Sequence, residues 1–315
     1  MQSKGEMQSL LQVASMYYKD HINQQEIADK MGITRQTVNR LLKKAELTGV
    51  VEFRIHNPLE ALPELSAKLE QRFGLKRALV VPCKFRDREM VTNIIAQFAA
   101  QYIAALVEEG AENIGLSWGR TVYHSILNLP VAYCGDATFF PLVGASSQTA
   151  EYFMINEIVR RAASTMNARA VYTYIPADPG SREDAELFRR TKVYEIIDNY
   201  WKHIDLAVMG IGVNPVLEIG SRAEYPGERY VRSSVLDDAV GDMLTHYFDA
   251  SGRFIPLDQA NILCASIDNL RAAKRVLAIA GGKDKLMPIC SALKTGIITD
   301  FITDELVCEC LLKMR

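Results

Sequence analysis

Between Thr34 and Lys44 the chain presents Arg35, Gln36, Thr37, Asn39, Arg40, Lys43 and Lys44 and no acid. Arg, Gln and Asn side chains can make bidentate hydrogen bonds to base edges in the major groove of DNA, and Lys meets phosphate. On one helical face capped by Thr34, this set is a candidate DNA-reading surface. A second set is spread over the rest of the chain. Gly115-Leu116-Ser117-Trp118-Gly119-Arg120-Thr121 gathers Gly, Ser, Arg and Thr, and Gly144 lies in the Gly/Ser segment Val143–Gln148. Gly210-Ile211-Gly212 is a third such turn, and Ala280-Gly281-Gly282-Lys283-Asp284-Lys285 a fourth. Small residues at a helix start leave backbone N–H groups and the positive end of the helix dipole open to an anion. Arg120 and Lys285 would add charge. Asp242, in the run Ala239–Leu244, either caps a helix or accepts hydrogen bonds from sugar hydroxyls, and its spacing favours the second.

These side chains need elements to hold them. Leu10, Leu11, Val13, Ala14 and Tyr17 recur at helical spacing and predict an amphipathic helix over 7–20. Asn23 is an N-cap for a second helix over 24–30, with Glu26 in its first turn, and Gly32 ends it in the left-handed conformation. Thr34 caps a third helix, 35–47, which stops before Gly49. Small Ala28 falls where two such helices nearly touch, Gly32 in their turn and Val38 in the interior, with Ile27, Met31, Ile33 and Leu41 filling the remaining inward positions. That is the pattern of a helix-turn-helix. The competing reading, a plain three-helix bundle with a solvated face, leaves the missing carboxylates on that face unexplained. Val50–Ile55 alternates as one strand, in the place of a wing. Pro58 breaks the chain, and 59–73 forms a helix with Leu62, Leu65, Leu69 and Phe73 on one face, either a packed linker or a dimerisation helix.

From residue 77 the pattern alternates. Short apolar strands are expected at 78–81, 113–117, 138–143, 170–175, 205–210, 276–280 and 301–303, separated by helices at 89–109, 120–129, 150–165, 182–202, 284–294 and 304–314. Apolar strands between helices imply a parallel sheet covered on both faces, and ligands of such sheets sit at the carboxyl ends of strands. A Gly at one strand end is usually only a turn; four such loops gathering there, two with a cation, argue for an anion site. Gly210-Ile211-Gly212 is followed by Asn214-Pro215 and lacks the third Gly of a dinucleotide fingerprint, and no phosphate-binding P-loop is present. The histidines (21, 56, 124, 203, 246) have no metal-ligand spacing. No cofactor and no metal are expected.

The chain has 315 residues, 49% apolar and 23% charged, which suits two packed domains and excludes collagen, coiled-coil rods and disorder. Charge is expected to interrupt every apolar run short of the roughly 18 residues of a membrane span, and Met1–Glu6 lacks the apolar core of a secretory signal. A cytoplasmic protein without a membrane partner is expected. Six scattered cysteines read as reduced thiols. The net charge of −2 conceals an asymmetry: residues 1–56 carry eight Lys/Arg against six acids. Such a protein would touch a phosphate backbone at one element rather than coat it.

The order of motifs resembles the SorC family of bacterial sugar-responsive transcriptional regulators. It runs from the helix-turn-helix through Gly115–Thr121, Ala239–Asp242 with Tyr247–Gly252, and Ala280–Lys285 to Thr295–Glu305, and so spans nearly the whole chain. The resemblance implies an α/β architecture. A winged-helix-like DNA-binding domain at 1–56 and a linker helix at 57–74 would precede a Rossmann-like effector and oligomerisation domain at 75–315, similar to sugar-phosphate isomerases and deaminases. It also implies that Ser117, Gly119, Arg120 and Thr121 bind the anionic end of the effector, that Asp242 holds hydroxyls and that Lys285 closes over the ligand. Gly115, Trp118, Gly144, Gly210 and Gly212 would line the same pocket. The implied partners are operator DNA, a sugar or sugar phosphate, and a second copy of the chain in a homodimer or homotetramer. The competing function is a sugar-phosphate isomerase or deaminase with an appended DNA-binding module; its general base would be Asp242 or Glu218, neither with an evident partner acid.

Overall fold

The computed structural model describes residues 4–51, 61–83, 87–147, 150–213, 238–256 and 261–314. The chain divides into two units, Met1–Pro58 and Leu59–Arg315.

In the first unit, α1 (Lys4–Ala14) continues into one wide helical turn, Ser15–Lys19, where a single helix over 7–20 was expected. Leu10 and Val13 are buried, but Leu11 is 54% exposed and faces away from the packing. Asn23 accepts the N–H groups of Gln25 (3.1 Å) and Glu26 (3.0 Å) at the start of α2 (Gln24–Met31). Gly32, at φ +65, ends α2, a conformation that would strain a residue with a Cβ. Thr34 accepts the Thr37 N–H (3.2 Å) and starts α3 (Arg35–Leu47). Ile27, Ala28, Val38 and Leu42 close with Val13 into a small core. Val50 and Val51 form a bend, and the rest of the expected strand, 52–55, lies outside the described residues.

The second unit opens with α4 (Pro63–Phe73), β1 (Arg77–Val81), α5 (Arg88–Glu108), β2 (Asn113–Leu116) and α6 (Arg120–Leu127). There follow β3 (Thr138–Pro141), α7 (Ile155–Thr165), β4 (Arg169–Ala170), α8 (Arg182–Arg189), α9 (Lys192–Trp201) and β5 (Leu206–Gly210). The seven parallel strands run in the order β1-β10-β9-β5-β2-β3-β4, with β9 (Arg275–Ile279) and β10 (Asp300–Asp304) from the end of the chain. Every residue of β3 and β10 is buried, as a sheet covered on both faces requires. The strand expected at 170–175 shrinks to Arg169–Ala170, because the chain then turns its hydrogen bonds to Asn156 and Ala145. α5 corrects the expectation that charge interrupts every apolar run: no charged residue falls between 90 and 107, and the helix is long and apolar enough to cross a membrane. Here it is a half-buried core helix packed on α6 and the sheet.

The helix at 63–73 packs on β1 and on α12 (Glu305–Lys313). Three hydrogen bonds seal the open edge of β1: Leu62 N–H to Val80 O (2.8 Å), Val80 N–H to Ser66 Oγ (3.0 Å) and Ala78 N–H to Glu70 Oε1 (2.8 Å). An edge strand otherwise offers these groups to any passing chain.

A feature absent from the sequence reading is a second, antiparallel sheet of β6 (Gly212–Val213), β7 (Gly241–Met243) and β8 (His246–Phe248). Asp242 sits in the middle of β7, so it does not open or cap a helix. An apolar run this short does not distinguish helix from strand by periodicity. Gly241 permits the close pairing, since a Cβ there would lie 2.6 Å from Gly212 O. The β7–β8 turn places Leu244 at φ +51 and Thr245 at φ +66, where Asn-Gly would be usual. α10 (Ile267–Ala272) and α11 (Leu286–Lys294) complete the unit.

Candidate functional site

α3 presents Arg35, Gln36, Asn39, Arg40 and Lys43 to solvent along one side, while Val38, Leu42 and Ala45 are buried on the other. Thr37 and Lys44 are half-buried. Thr34 and Thr37 are joined hydroxyl to hydroxyl (2.8 Å) at the start of the helix, so they fix its first turn. Four long polar or basic side chains on the exposed face can reach base edges, and Lys43 a phosphate.

The second candidate site is a cavity of about 740 Å³ at the carboxyl edge of the parallel sheet. Ser117–Thr121, Tyr123 and His124 form one wall, with the start of α5 (Asp87–Glu89, Thr92) and the turn Glu151–Phe153 beside it. Gly210–Val213, Asp242, Leu244, Gly281 and Lys285 form the other. Three of the four Gly-rich loops therefore meet there.

The helix starts nearby differ in how their amides are met. At α5, Asp87 accepts the Met90 N–H (2.8 Å), and at α12, Asp304 accepts the Val307 N–H (2.9 Å). The cap of α6 is Gly119, at φ +119, with no side chain to cover the first turn. That amide end faces the cavity without a carboxylate of its own. Two expected donors are nevertheless engaged within the protein. The Gly119 N–H donates to Tyr152 O (2.7 Å), the Ser117 N–H to Val208 O (2.9 Å), and the Ser117 hydroxyl to Trp118 O (3.1 Å). Thr121 and Arg120 remain in the wall. The Arg120 guanidinium lies over the Tyr152 ring, 5.1 Å from its centre, and Trp118 meets Phe153 edge-on at 6.0 Å.

Asp242 is 8% exposed, and its Oδ2 accepts the Thr245 N–H across the hairpin turn (3.2 Å). Half-buried Lys285 donates to Ile211 O (2.8 Å), which draws the end of the Gly281–Lys285 loop onto the segment after β5. Tyr123 donates to Glu151 Oε2; that bond to a carboxylate, followed by burial, raises the Tyr123 phenol above its ordinary value.

Gly115 and Gly144 do not reach the cavity. A Cβ on Gly115 would lie 2.3 Å from the Leu142 side chain, and one on Gly144 would lie 2.5 Å from the Pro176 backbone. Both are glycines of close packing, and the Val143–Gln148 loop meets Ile175 and Leu263 instead, with Gln148 outside the described residues. Gly210 and Gly212 do line the cavity. Sequence reasoning missed Tyr123, Glu151, Tyr152 and Asp87; only Asp87, three residues before Met90 at a helix start, carried a readable signal. Interleaved carboxylates (Asp87, Glu89, Glu151, Asp242) and cations (Arg88, Arg120, Lys285) give the wall both acceptors and donors, as a polyhydroxylated ligand requires.

Comparison with known proteins gives the family. A family model described as "Putative sugar-binding domain" matches residues 57–313, and one described as "Winged helix-turn-helix DNA-binding" matches 16–52. The sorbitol operon regulator SorC of Klebsiella pneumoniae is 27% identical over 99% of this chain and 100% of its own. Its full-length crystal structure matches with a TM-score of 0.72 over 98% of this chain and 100% of that one. The chain belongs to the SorC family. The deoxyribonucleoside regulator of Bacillus subtilis (strain 168) is 26% identical over 96% of each chain. The structure of a probable sor operon regulator from Shigella flexneri, 26% identical, matches with a TM-score of 0.71 over 80% of this chain and 99% of that one.

This SorC-family protein is a DNA-binding transcriptional regulator with a sugar-binding domain. It is not an enzyme: its full-length relatives are regulators, which sets aside the isomerase or deaminase reading. Of the two carboxylates considered as that enzyme's base, Asp242 is tied to a hairpin turn and Glu218 lies outside the described residues.

Proposed function

We propose that the regulator's effector is a sugar carrying an anionic group, a phosphate above all, which the start of α6 receives while Asp242 holds hydroxyls and Lys285 closes over the ligand. The observation that carries this reading is the α6 start without a side-chain cap, opening into a cavity that also holds Arg120, Lys285 and Asp242. Thr121, Trp118, Gly210 and Gly212 complete the wall around such a ligand. In this reading the protein works in the cytoplasm as a homodimer or homotetramer, so that paired α3 helices read an inverted-repeat operator. Arg35, Gln36, Asn39 and Arg40 contact bases, Lys43 and Lys44 contact phosphates, and Thr34 and Thr37 hold the helix start. Effector binding changes operator affinity through a coupling of about 1–3 kcal/mol, roughly 5–150-fold.

The test is fluorescence anisotropy of the full chain on DNA from upstream of its own gene at two salt concentrations. Glucitol, glucitol 6-phosphate, fructose 6-phosphate and 2-deoxyribose 5-phosphate are added in turn. The expected result is a salt-sensitive, sequence-selective complex whose affinity shifts with a phosphorylated sugar and not with its unphosphorylated parent. A shift with the parent sugar alone would remove the phosphate from the α6 start. No shift with any sugar would overturn the reading of the cavity.

A further inference from the structure

Thr295–Glu305 stands out in the sequence, yet none of its residues lines the cavity. Its last strand residue, Asp304, is 1% exposed and serves two elements with one carboxylate. Oδ1 accepts the Val307 N–H and caps α12 (2.9 Å), while Oδ2 accepts the Gly282 N–H (2.7 Å). Gly282 belongs to the loop that ends in Lys285, and its carbonyl accepts the Lys285 N–H (3.0 Å). Gly281 lines the cavity, and a Cβ there would stand 2.6 Å from Asp304 Oδ2, so loop and carboxylate are in direct contact. On its far side α12 packs on α4: Cys308 Sγ reaches Leu65 O (3.8 Å), and Arg72 donates to the carbonyls of Leu312 (3.3 Å) and Met314. In the chain, α4 is the helix that follows the DNA-binding unit. A carboxylate can accept from two amides on opposite sides; an amide side chain has one acceptor oxygen, and a serine is too short to meet both.

We propose that Asp304 is the positioning residue that ties the cavity loop Gly281–Lys285 to α12 and α4, so that a ligand-driven change in the loop is passed to the helix that follows the DNA-binding unit in the chain. This rests on the sugar-responsive reading above, but the link itself is measured without any sugar. Hydrogen exchange is followed by mass spectrometry on the full chain, for wild type, Asp304→Ser, Gly281→Ala and the double variant. Serine still caps α12 but is too short for Gly282. Loss of a hydrogen bond to a charged acceptor is expected to speed exchange at 282–286 on the order of ten-fold. Exchange at 65–73 should rise in both single variants, while the core strands β5 and β9 keep wild-type rates. In the double variant, Gly281→Ala should add nothing further at 65–73, because the connection is already cut. Unchanged exchange at 65–73 in both single variants, or independent addition in the double, would overturn the proposal. If Asp304→Ser loses protection in β5 and β9, Asp304→Asn, which keeps one acceptor, takes its place in the cycle. If no sugar shifts operator affinity, the reading of the cavity fails while this cycle still stands; a sugar response with 65–73 unmoved defeats only the link.

Discussion

Thr245 gives the sharpest stability test of the cavity wall. It is a β-branched residue at φ +66 in the β7–β8 turn, and its N–H is bonded to Asp242 Oδ2 (3.2 Å). The turn conformation therefore decides where Asp242 stands. At an ordinary helix or strand position Ala is more stable than Gly by roughly 0.5–1 kcal/mol. In the left-handed region a Cβ costs roughly 1–2 kcal/mol, so the order reverses. Thr245→Gly and Thr245→Ala both lose the hydroxyl near Cys264 Sγ (3.7 Å) and both keep the N–H to Asp242, so those effects cancel between them. What remains is the backbone preference, which leaves Gly ahead of Ala by about 1 kcal/mol. For a unit of this size that is about 2–4 °C in Tm, within reach of differential scanning calorimetry on the full chain. If the alanine variant melts at the same temperature or higher, the turn is not left-handed at Thr245, and the placement of Asp242 goes with it.

Arg35→Ala and Arg40→Ala should each weaken operator binding by about 1–3 kcal/mol, read by anisotropy, with the thermal shift produced by the effector intact. Loss of both properties together would show that the two sites are not separable. Lys285→Ala and Asp242→Ala should do the reverse, keeping operator affinity and losing the response to sugar; a normal response in both would place the ligand elsewhere. Asp205 is opposed by burial, but Lys274 (2.5 Å) and the N–H groups of Asn113 (2.9 Å) and Glu112 (3.0 Å) overcome that and hold its carboxyl below the usual range. A depressed carboxyl stabilises the fold above its unfolded pKa, and the stabilisation is lost as pH falls through the folded value. Asp205→Asn should therefore cost about 1.5–3 kcal/mol at neutral pH, with the gap to wild type closing below about pH 4 in pH-dependent melts. A gap that does not narrow as pH falls below about 4 would assign the loss to shape rather than charge.

The helix-turn-helix was legible because its determinants are local. Asn23, Gly32 and Thr34 each settle a cap or a turn within four residues, and the structure returns the same boundaries to within one or two. The parallel strands were legible from apolar runs, and the meeting of three loops followed from the rule that ligands sit at strand carboxyl ends. What escaped depends on contacts far apart in sequence. Gly115 and Gly144 resemble ligand-loop glycines until Leu142 and Pro176 are brought against them. Asp242 resembles a helix start until Gly212 pairs beside it, and Ser117 and Gly119 resemble open donors until Val208 and Tyr152 accept from them. The run 90–107 carries no charge, and its packing against α6 and the sheet, which a sequence does not display, distinguishes it from a membrane span.

The strap across β1 bears on how such a sensor can be moved between proteins. A fragment cut at residue 75 would carry every strand and the whole cavity, yet would leave the N–H groups of Ala78 and Val80 bare on a parallel sheet. Naked edges of that kind recruit other strands, so such a fragment should precipitate on expression. A fragment beginning before Leu62 brings Leu62, Ser66 and Glu70 with it and should stay dispersed. The smallest transplantable cassette is thus set by who protects the sheet's flank, and the helix that follows the DNA-binding unit in the chain travels with the sensor.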